Sequence, residues 1–193
     1  MKIIITGGAG FIGKHLVEFL TKKENDVTIF DNFSNSSYES IMYLQNLDVK
    51  IIKGDIRKIE DLNNAIKGHE VVIHLAAKIS VEESIKNPSE TFQTNVEGTK
   101  NVLIACKKNE IKKIIVSSSA AVYGESKIDV KLTEKAKIKP ISPYGESKVR
   151  MENEIRKFSE DQNIDYVILR FFNIYGKNQS PEYAGVITKF IKK

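Results

Sequence analysis

Lys2-Ile3-Ile4-Ile5-Thr6-Gly7-Gly8-Ala9-Gly10-Phe11-Ile12-Gly13 is the stretch on which the fold of this chain turns. Its first residues are an apolar run. Behind the glycines, Phe11, Ile12, Leu16, Val17 and Leu20 recur at helical spacing. The reading is strand, tight glycine turn, helix. Glycine lacks a Cβ, so Gly7 and Gly8 are free to take positive φ and to let a phosphate come against the backbone. The helix behind the turn aims free N–H groups and the positive end of its dipole at that phosphate. Gly13, one turn into the helix, allows close packing on the strand. The spacing Gly7-x-x-Gly10-x-x-Gly13 departs from the G-x-G-x-x-G dinucleotide fingerprint. What makes it informative is its position between a strand and a helix.

Outward from the turn, strand patterns at 2–6, 27–31, 49–53, 71–74, 114–118 and 166–170 alternate with helical patterns near 11–21, 38–46, 59–67, 89–108 and 143–159. The strands are rich in Ile and Val. Such alternation predicts an α/β fold, a doubly wound, Rossmann-like parallel sheet covered on both faces. Ligands of such sheets lie beyond the carboxyl ends of the strands. Residues 125–142 carry several lysines and Pro140 without periodicity, and read as a lid, a rim loop or a plain surface loop.

Composition bounds the alternatives. The 193 residues, 41% hydrophobic and 28% charged, suit one soluble domain with a core. The net charge of +5 comes largely from lysine pairs such as Lys22-Lys23 and Lys112-Lys113, scattered over polar faces. That argues for a solvated surface rather than a nucleic-acid stripe. One cysteine, Cys106, rules out an internal disulfide, and its apolar neighbours make it a core residue. No apolar run is long enough to cross a bilayer. Met1-Lys2 leads straight into a strand, so a signal peptide is not expected and the cytoplasm is the expected compartment.

The strand ends carry the candidate chemistry. Asp31 closes the second strand, where a carboxylate can accept hydrogen bonds from both ribose hydroxyls of an adenosine. The same charge repels a 2′-phosphate, and Asn32, Phe33 and Ser34 supply no cation for one. NAD is therefore expected over NADP, bound by Gly7, Gly10, Phe11, Ile12, Gly13, Asp31 and Asn32; a helix-capping role for Asp31 is the plainer alternative. Asp55 and Ile56 stand where an adenine can lie, although Asp55 is also a credible N-cap. Leu75, Ala76 and Ala77 are small and apolar, which lets a cofactor backbone lie close. His74 reads as a packed core histidine. His15, His69 and Cys106 show no metal-ligand spacing with it, so no metal site is expected.

Tyr144 and Lys148 are four residues apart at the start of a helical pattern and share one face. A tyrosine titrates near ~10 when unperturbed, and an ammonium one turn away is expected to lower that value. Ser119 ends the fifth strand, where it can donate to, or relay a proton from, a hydroxyl being oxidised. Ser119, Tyr144 and Lys148 together form a general base and a clamp on a secondary alcohol.

These residues occur within TGGAGFIG at 6–13, DNFSNS at 31–36, GDIR at 54–57, HLAA at 74–77, QTNVEGT at 93–99, SSSAAVYG at 117–124, SPYGESK at 142–148 and LRFFNIYG at 169–176. In that order they resemble the extended short-chain dehydrogenase/reductases, and within them the NAD-dependent nucleotide-sugar epimerase/dehydratase family. The resemblance implies that Ser119 and Tyr144 are catalytic, with Lys148 also holding the nicotinamide ribose. It places Phe171 and Ile174 beside the nicotinamide and Asn173 on the sugar-nucleotide phosphate, and it makes Asn95 and Arg170 structural. Dehydratases and decarboxylases of the family carry an acidic residue just before V-Y-G. Here Ala120 and Ala121 stand there, which favours epimerisation at C4 of a nucleotide sugar, with a UDP-hexose of the glucose/galactose type as the default. A dehydratase or reductase of the same superfamily, or an NAD-binding fragment without turnover of its own, are the alternatives. The resemblance also implies a homodimer through the helices near 89–108 and 143–159. Family members are longer, so residues 1–176 are expected to form the NAD-binding domain with the catalytic residues. Residues 177–193, with a helix at 183–191, are expected to open a substrate lobe that is incomplete here.

Overall fold

The computed structural model describes residues 1–125, 131–177 and 179. Six parallel strands form one sheet: β1 (Lys2–Thr6), β2 (Asp26–Asp31), β3 (Lys50–Lys53), β4 (Val71–His74), β5 (Lys113–Ser119) and β6 (Asp165–Phe171). Their spatial order is β3-β2-β1-β4-β5-β6, the dinucleotide-fold order in which the chain reverses direction across the sheet between β1 and β4. Ile3, Ile4 and Ile5 are buried on both faces, which is why the parallel strands read as unbroken apolar runs rather than alternating ones.

Each face has its own core. α1 (Phe11–Lys22) and α2 (Tyr38–Gln45) cover one, where Val17 and Leu44 meet Ile3, Ile5 and Ile29. On the other, α3 (Ile59–Ile66), α6 (Gly98–Lys108) and α7 (Pro143–Gln162) bring Leu62, Val102, Met151 and Ile155 onto Ile4, Val72, Ile114 and Val116. Full burial of one such side chain is worth roughly 1.5–3 kcal/mol. β6 is the edge strand, and its Val167 and Leu169 stay more than a third exposed.

The structure adds to the sequence reading in two places. α4 (Val81–Lys86) and α5 (Pro88–Phe92) precede α6, and the helical run 88–108 is interrupted at Gln93–Glu97 by a π-helical turn. The signal for α4 was present: Ser80 accepts a hydrogen bond from the Glu83 N–H, the first half of an S-x-x-E capping box. A six-residue helix is too short to show periodicity. The π turn carries Asn95, which is buried and bonds the Lys78 N–H, the Lys78 carbonyl and the Ser147 hydroxyl. Asn95 thereby ties the loop after β4 to α7, the structural role expected of it. Of residues 131–142, Lys139 meets the 3₁₀ turn Ala120–Val122, its N–H on the Val122 carbonyl. The expected helix at 183–191 lies outside the described residues, and no helix among those described is long and apolar enough to cross a membrane.

Candidate cofactor and catalytic site

A cavity of 370 Å³ opens at the reversal point, beyond the carboxyl ends of the strands. Its floor is the glycine turn. Gly7 has φ +73°, and a Cβ there would lie 2.6 Å from the Ala76 nitrogen, so the turn after β1 lies directly against the chain leaving β4. A Cβ on Gly13 would collide with the Gly7 carbonyl oxygen. The close approach thus joins α1 to the turn, not to the strand as the sequence suggested. Gly8 does not take positive φ; its task is packing, since a Cβ there would press on the Ile29 side chain at 3.0 Å. Gly10 is the N-cap of α1 and no side chain caps it. The first residues of α1, Phe11, Ile12 and Gly13, whose N–H groups a helix leaves without internal partners, line the cavity beside Gly7 and Gly10. Those are the requirements of a dinucleotide pyrophosphate, and the residues present fit one.

Asp31 closes β2 with 8% exposure. Its Oδ2 accepts the Ala9 N–H at 2.9 Å and its Oδ1 the Phe33 N–H at 2.7 Å. Burial pushes its pKa up and these N–H groups hold it down. Each oxygen keeps a lone pair for a hydroxyl, and Asp31 lines the cavity. It caps no helix; Ser37 caps α2. Asp55 is not an N-cap either, because α3 begins four residues later behind Lys58. Its carboxylate pairs instead with Arg57 at 2.6 Å, and that guanidinium holds its pKa down at about 2.

At the other end of the cavity the three consecutive serines of β5 are each engaged. The Ser117 carbonyl accepts from Lys148 Nζ at 2.9 Å. The Ser118 hydroxyl donates to Glu152 Oε1 at 2.5 Å. Ser119 Oγ accepts the Ala121 N–H at 3.1 Å and is hydrogen-bonded to Tyr144. α7 presents Tyr144 because its start is fixed: Ser142 caps it, Pro143 opens its first turn, and the Tyr144 N–H is held by the Ser84 hydroxyl of α4 at 3.1 Å.

The electrostatics correct one expectation. Lys148 does not lower the pKa of Tyr144. Burial raises the phenol, against which only the Ser119 hydrogen bond works, because the ammonium is turned to the Ser117 carbonyl. Lys148 itself, 2% exposed, is pushed down by burial to about 8, with Glu152 pulling the other way. The depressed value makes Lys148 a liability to the fold. Below pH 8 both the folded and unfolded states are protonated and the folded state bears a desolvation cost of about 3 kcal/mol. Between pH 8 and the ordinary 10.5 the folded state loses its proton first, and the cost fades. Lys148→Met is therefore expected to raise stability at pH 7 by about 1–2 kcal/mol, after about 1 kcal/mol for the lost Ser117 bond. Urea denaturation at pH 7 and pH 10.5 checks this, the gain disappearing at the higher pH.

His74 is the packed core histidine the sequence suggested. Its Nδ1 meets Thr6 Oγ1 at 2.6 Å and its Nε2 meets Thr99 Oγ1 at 2.9 Å. Thr99 spends its proton on the Asn95 carbonyl, so Nε2 is the donor and Nδ1 accepts from Thr6. Burial lowers its pKa to about 3, and it stays neutral.

Gly7, Gly10, Phe11, Ile12, Gly13, Asp31, Asn32, Asp55, Ile56, Leu75, Ala76, Ala77, Ser119, Tyr144, Lys148 and Phe171 all line the one cavity. Asn173 does not; it stands exposed on the segment after β6. Two features of the site escaped the sequence reading. Lys78 and Glu90 pair at 3.0 Å on the cavity wall, and Glu152 lies fully buried beneath Ser118.

Comparison with known proteins agrees with this fold. A UDP-glucose 4-epimerase of Yersinia enterocolitica is 41% identical over 188 residues, covering 93% of this chain and 55% of its own length. The Thermus thermophilus UDP-glucose 4-epimerase, solved as a complex with NAD, superposes with a TM-score of 0.88 at 32% identity, over 94% of this chain and 58% of that one. A dTDP-glucose 4,6-dehydratase of Streptomyces venezuelae, solved with NAD bound, reaches a TM-score of 0.92 at 28% identity, over 100% of this chain and 61% of that one. The chain thus spans little more than half the length of these relatives. The profile of the NAD dependent epimerase/dehydratase family matches residues 3–193, and the chain belongs to that family.

Proposed function

We propose that this chain binds NAD in the 370 Å³ cavity and is the cofactor-binding and catalytic part of a nucleotide-sugar 4-epimerase, with a UDP-hexose as substrate. The observation that carries this reading is the convergence of the glycine turn, Asp31 and the Ser119–Tyr144–Lys148 group on one cavity. The turn and the start of α1 hold the pyrophosphate, and Asp31 receives the adenosine ribose hydroxyls. Bound NAD would supply a hydride acceptor for C4 of the sugar and return the hydride to either face. Tyr144 takes the proton of the 4-hydroxyl, Ser119 steadies the same oxygen, and Lys148 holds the nicotinamide ribose and the local positive charge. Burial keeps the proton on Tyr144, 9% exposed, and the positive charge of an oxidised nicotinamide would favour its release.

Ala120 and Ala121 favour this reading over the dehydratase alternative. Elimination of the 6-hydroxyl needs an acid beside the sugar, and the 3₁₀ turn Ala120–Val122 after Ser119 offers none. Of the carboxylates on the cavity wall, Asp31 lies three strands away from β5, about 14 Å at the usual strand spacing. Asp55 is engaged by Arg57 and Glu90 by Lys78. Two measurements test the reading. Calorimetric titration of the 193-residue chain is expected to show one NAD site. UDP-galactose is expected to be converted to UDP-glucose once the chain is fused to the carboxyl-terminal lobe of a relative. Release of a 4-keto-6-deoxy product by that fusion would overturn the epimerase reading, and absence of NAD binding would overturn both parts.

A further inference from the structure

Beneath the catalytic group lies a carboxylate with no solvent contact. Glu152, 0% exposed, is one helical turn beyond Lys148 on the same face of α7. Its Oε1 accepts from the Ser118 hydroxyl at 2.5 Å and from Arg170 Nε at 2.9 Å. Its Oε2 accepts from Arg170 at 2.7 Å and from Arg156 at 2.6 Å. Arg170 reaches on to the Tyr123 hydroxyl at 3.0 Å and the Glu134 carbonyl at 3.1 Å. One carboxylate thereby joins β5, β6, α7, the turn after Ser119 and the segment that follows. Ser118 sits between the two residues the site uses on β5, Ser117 for Lys148 and Ser119 for Tyr144.

A buried ionic cluster of this kind is a poor source of stability, because desolvation offsets most of its attraction. Its geometry points to a different service. We propose that Glu152 is the positioning residue of the site: it holds the end of β5 in register with α7 and supplies the negative charge that keeps Lys148 an ammonium. The groups facing Lys148 leave no other candidate among the described residues. From β4 comes His74, which is neutral; from β5 the Ser117 carbonyl; from α7 Tyr144, protonated by burial, and Glu152. Arg156 and Arg170 face Glu152 and offset part of its charge. A neutral Lys148 would leave the site without its fixed cation.

The inference rests on Lys148 being the cation of the site, and its readout requires no sugar, so it stands or falls separately from the epimerase reading. The titration of Lys148 is followed by NMR of selectively labelled lysine in the 193-residue chain, with Lys148→Met identifying the signal. Glu152→Gln, which keeps size and the Ser118 contact, is expected to lower the midpoint by about one pH unit from its value near 8. Glu152→Asp, which keeps the charge, is expected to recover most of that shift. Arg156→Gln removes a half-exposed cation beside Glu152 and is expected to move the midpoint the opposite way, by about half a unit. Loosened packing cannot produce shifts of opposite sign. If Glu152→Gln does not fold, the Arg156→Gln shift carries the test alone. An unmoved midpoint in every variant that folds would overturn the proposal.

Discussion

Gly7→Ala is expected to abolish measurable NAD binding, weakening it by at least about 100-fold, or ~2.7 kcal/mol, and to destabilise the fold at the same time. Two costs add. At φ +73° an alanine is in the left-handed region, worth roughly 1–2 kcal/mol. Its Cβ would also lie 2.6 Å from the Ala76 nitrogen and 2.9 Å from the Leu75 carbonyl carbon. Backbone, unlike the end of a flexible side chain, cannot step aside. The turn after β1 and the chain after β4 would have to separate, and they form two walls of the cavity. Gly68 is the internal control. It has φ +81° with nothing within 4 Å of the added Cβ, so Gly68→Ala carries the backbone cost alone, roughly 1–2 kcal/mol. Calorimetric titration and urea denaturation of both variants separate the effects. Both should lose stability, and only Gly7→Ala should lose NAD. Equal NAD affinity in the two would mean that the glycine turn is not the pyrophosphate cradle.

That contrast also explains what could be read in advance. The glycine turn was legible because the clustered glycines themselves signal it, although the contact with Leu75 and Ala76 that requires Gly7 comes from another strand's exit. The strands were legible for a similar reason. Ile3, Ile4 and Ile5 are buried on both faces, and continuous apolar runs signal that directly. Tyr144 and Lys148 could be paired because helical spacing puts them on one face. The direction of their pKa shifts could not be read, because it depends on burial and on where Lys148 Nζ is drawn. The Ser117 carbonyl that draws it comes from a strand 31 positions earlier. Glu152 was the least legible. Set between Met151 and Asn153 in a helix rich in Glu, Lys and Arg, it reads as one of many solvated charges. Only the return of β6, which brings Arg170 back from 18 positions later, makes it the buried centre of a cluster. The π turn at Gln93–Glu97 was hidden for another reason: one wide turn inside a helix leaves the apolar period on either side almost unchanged.

Tyr144→Phe is expected to lower turnover of the lobe-completed chain by about 10²–10⁴-fold, the range for loss of a positioned proton acceptor, with NAD affinity and stability nearly unchanged. The side chain of Tyr144 is 9% exposed, and phenylalanine fills the same space. The change removes one oxygen, and the hydrogen bond that oxygen shares is with Ser119. Ser119 keeps its bond from the Ala121 N–H, so the end of β5 is not released. The pH dependence distinguishes a base from a binding group. Burial raises the phenol's pKa, so wild-type turnover should climb with pH as the phenolate forms. Lys148 works in the opposite sense. Its ammonium, with a pKa of about 8, is lost as the pH rises through that value, and the charged donor that would hold the nicotinamide ribose goes with it. The wild-type profile should therefore rise and then flatten or fall above pH 8, and the residual activity of Tyr144→Phe should lack the rising limb. Steady-state kinetics with UDP-galactose between pH 6 and pH 10 measure both profiles. A phenylalanine variant that keeps the rising limb would assign the titrating base to another group, and full activity in that variant would remove Tyr144 from the chemistry.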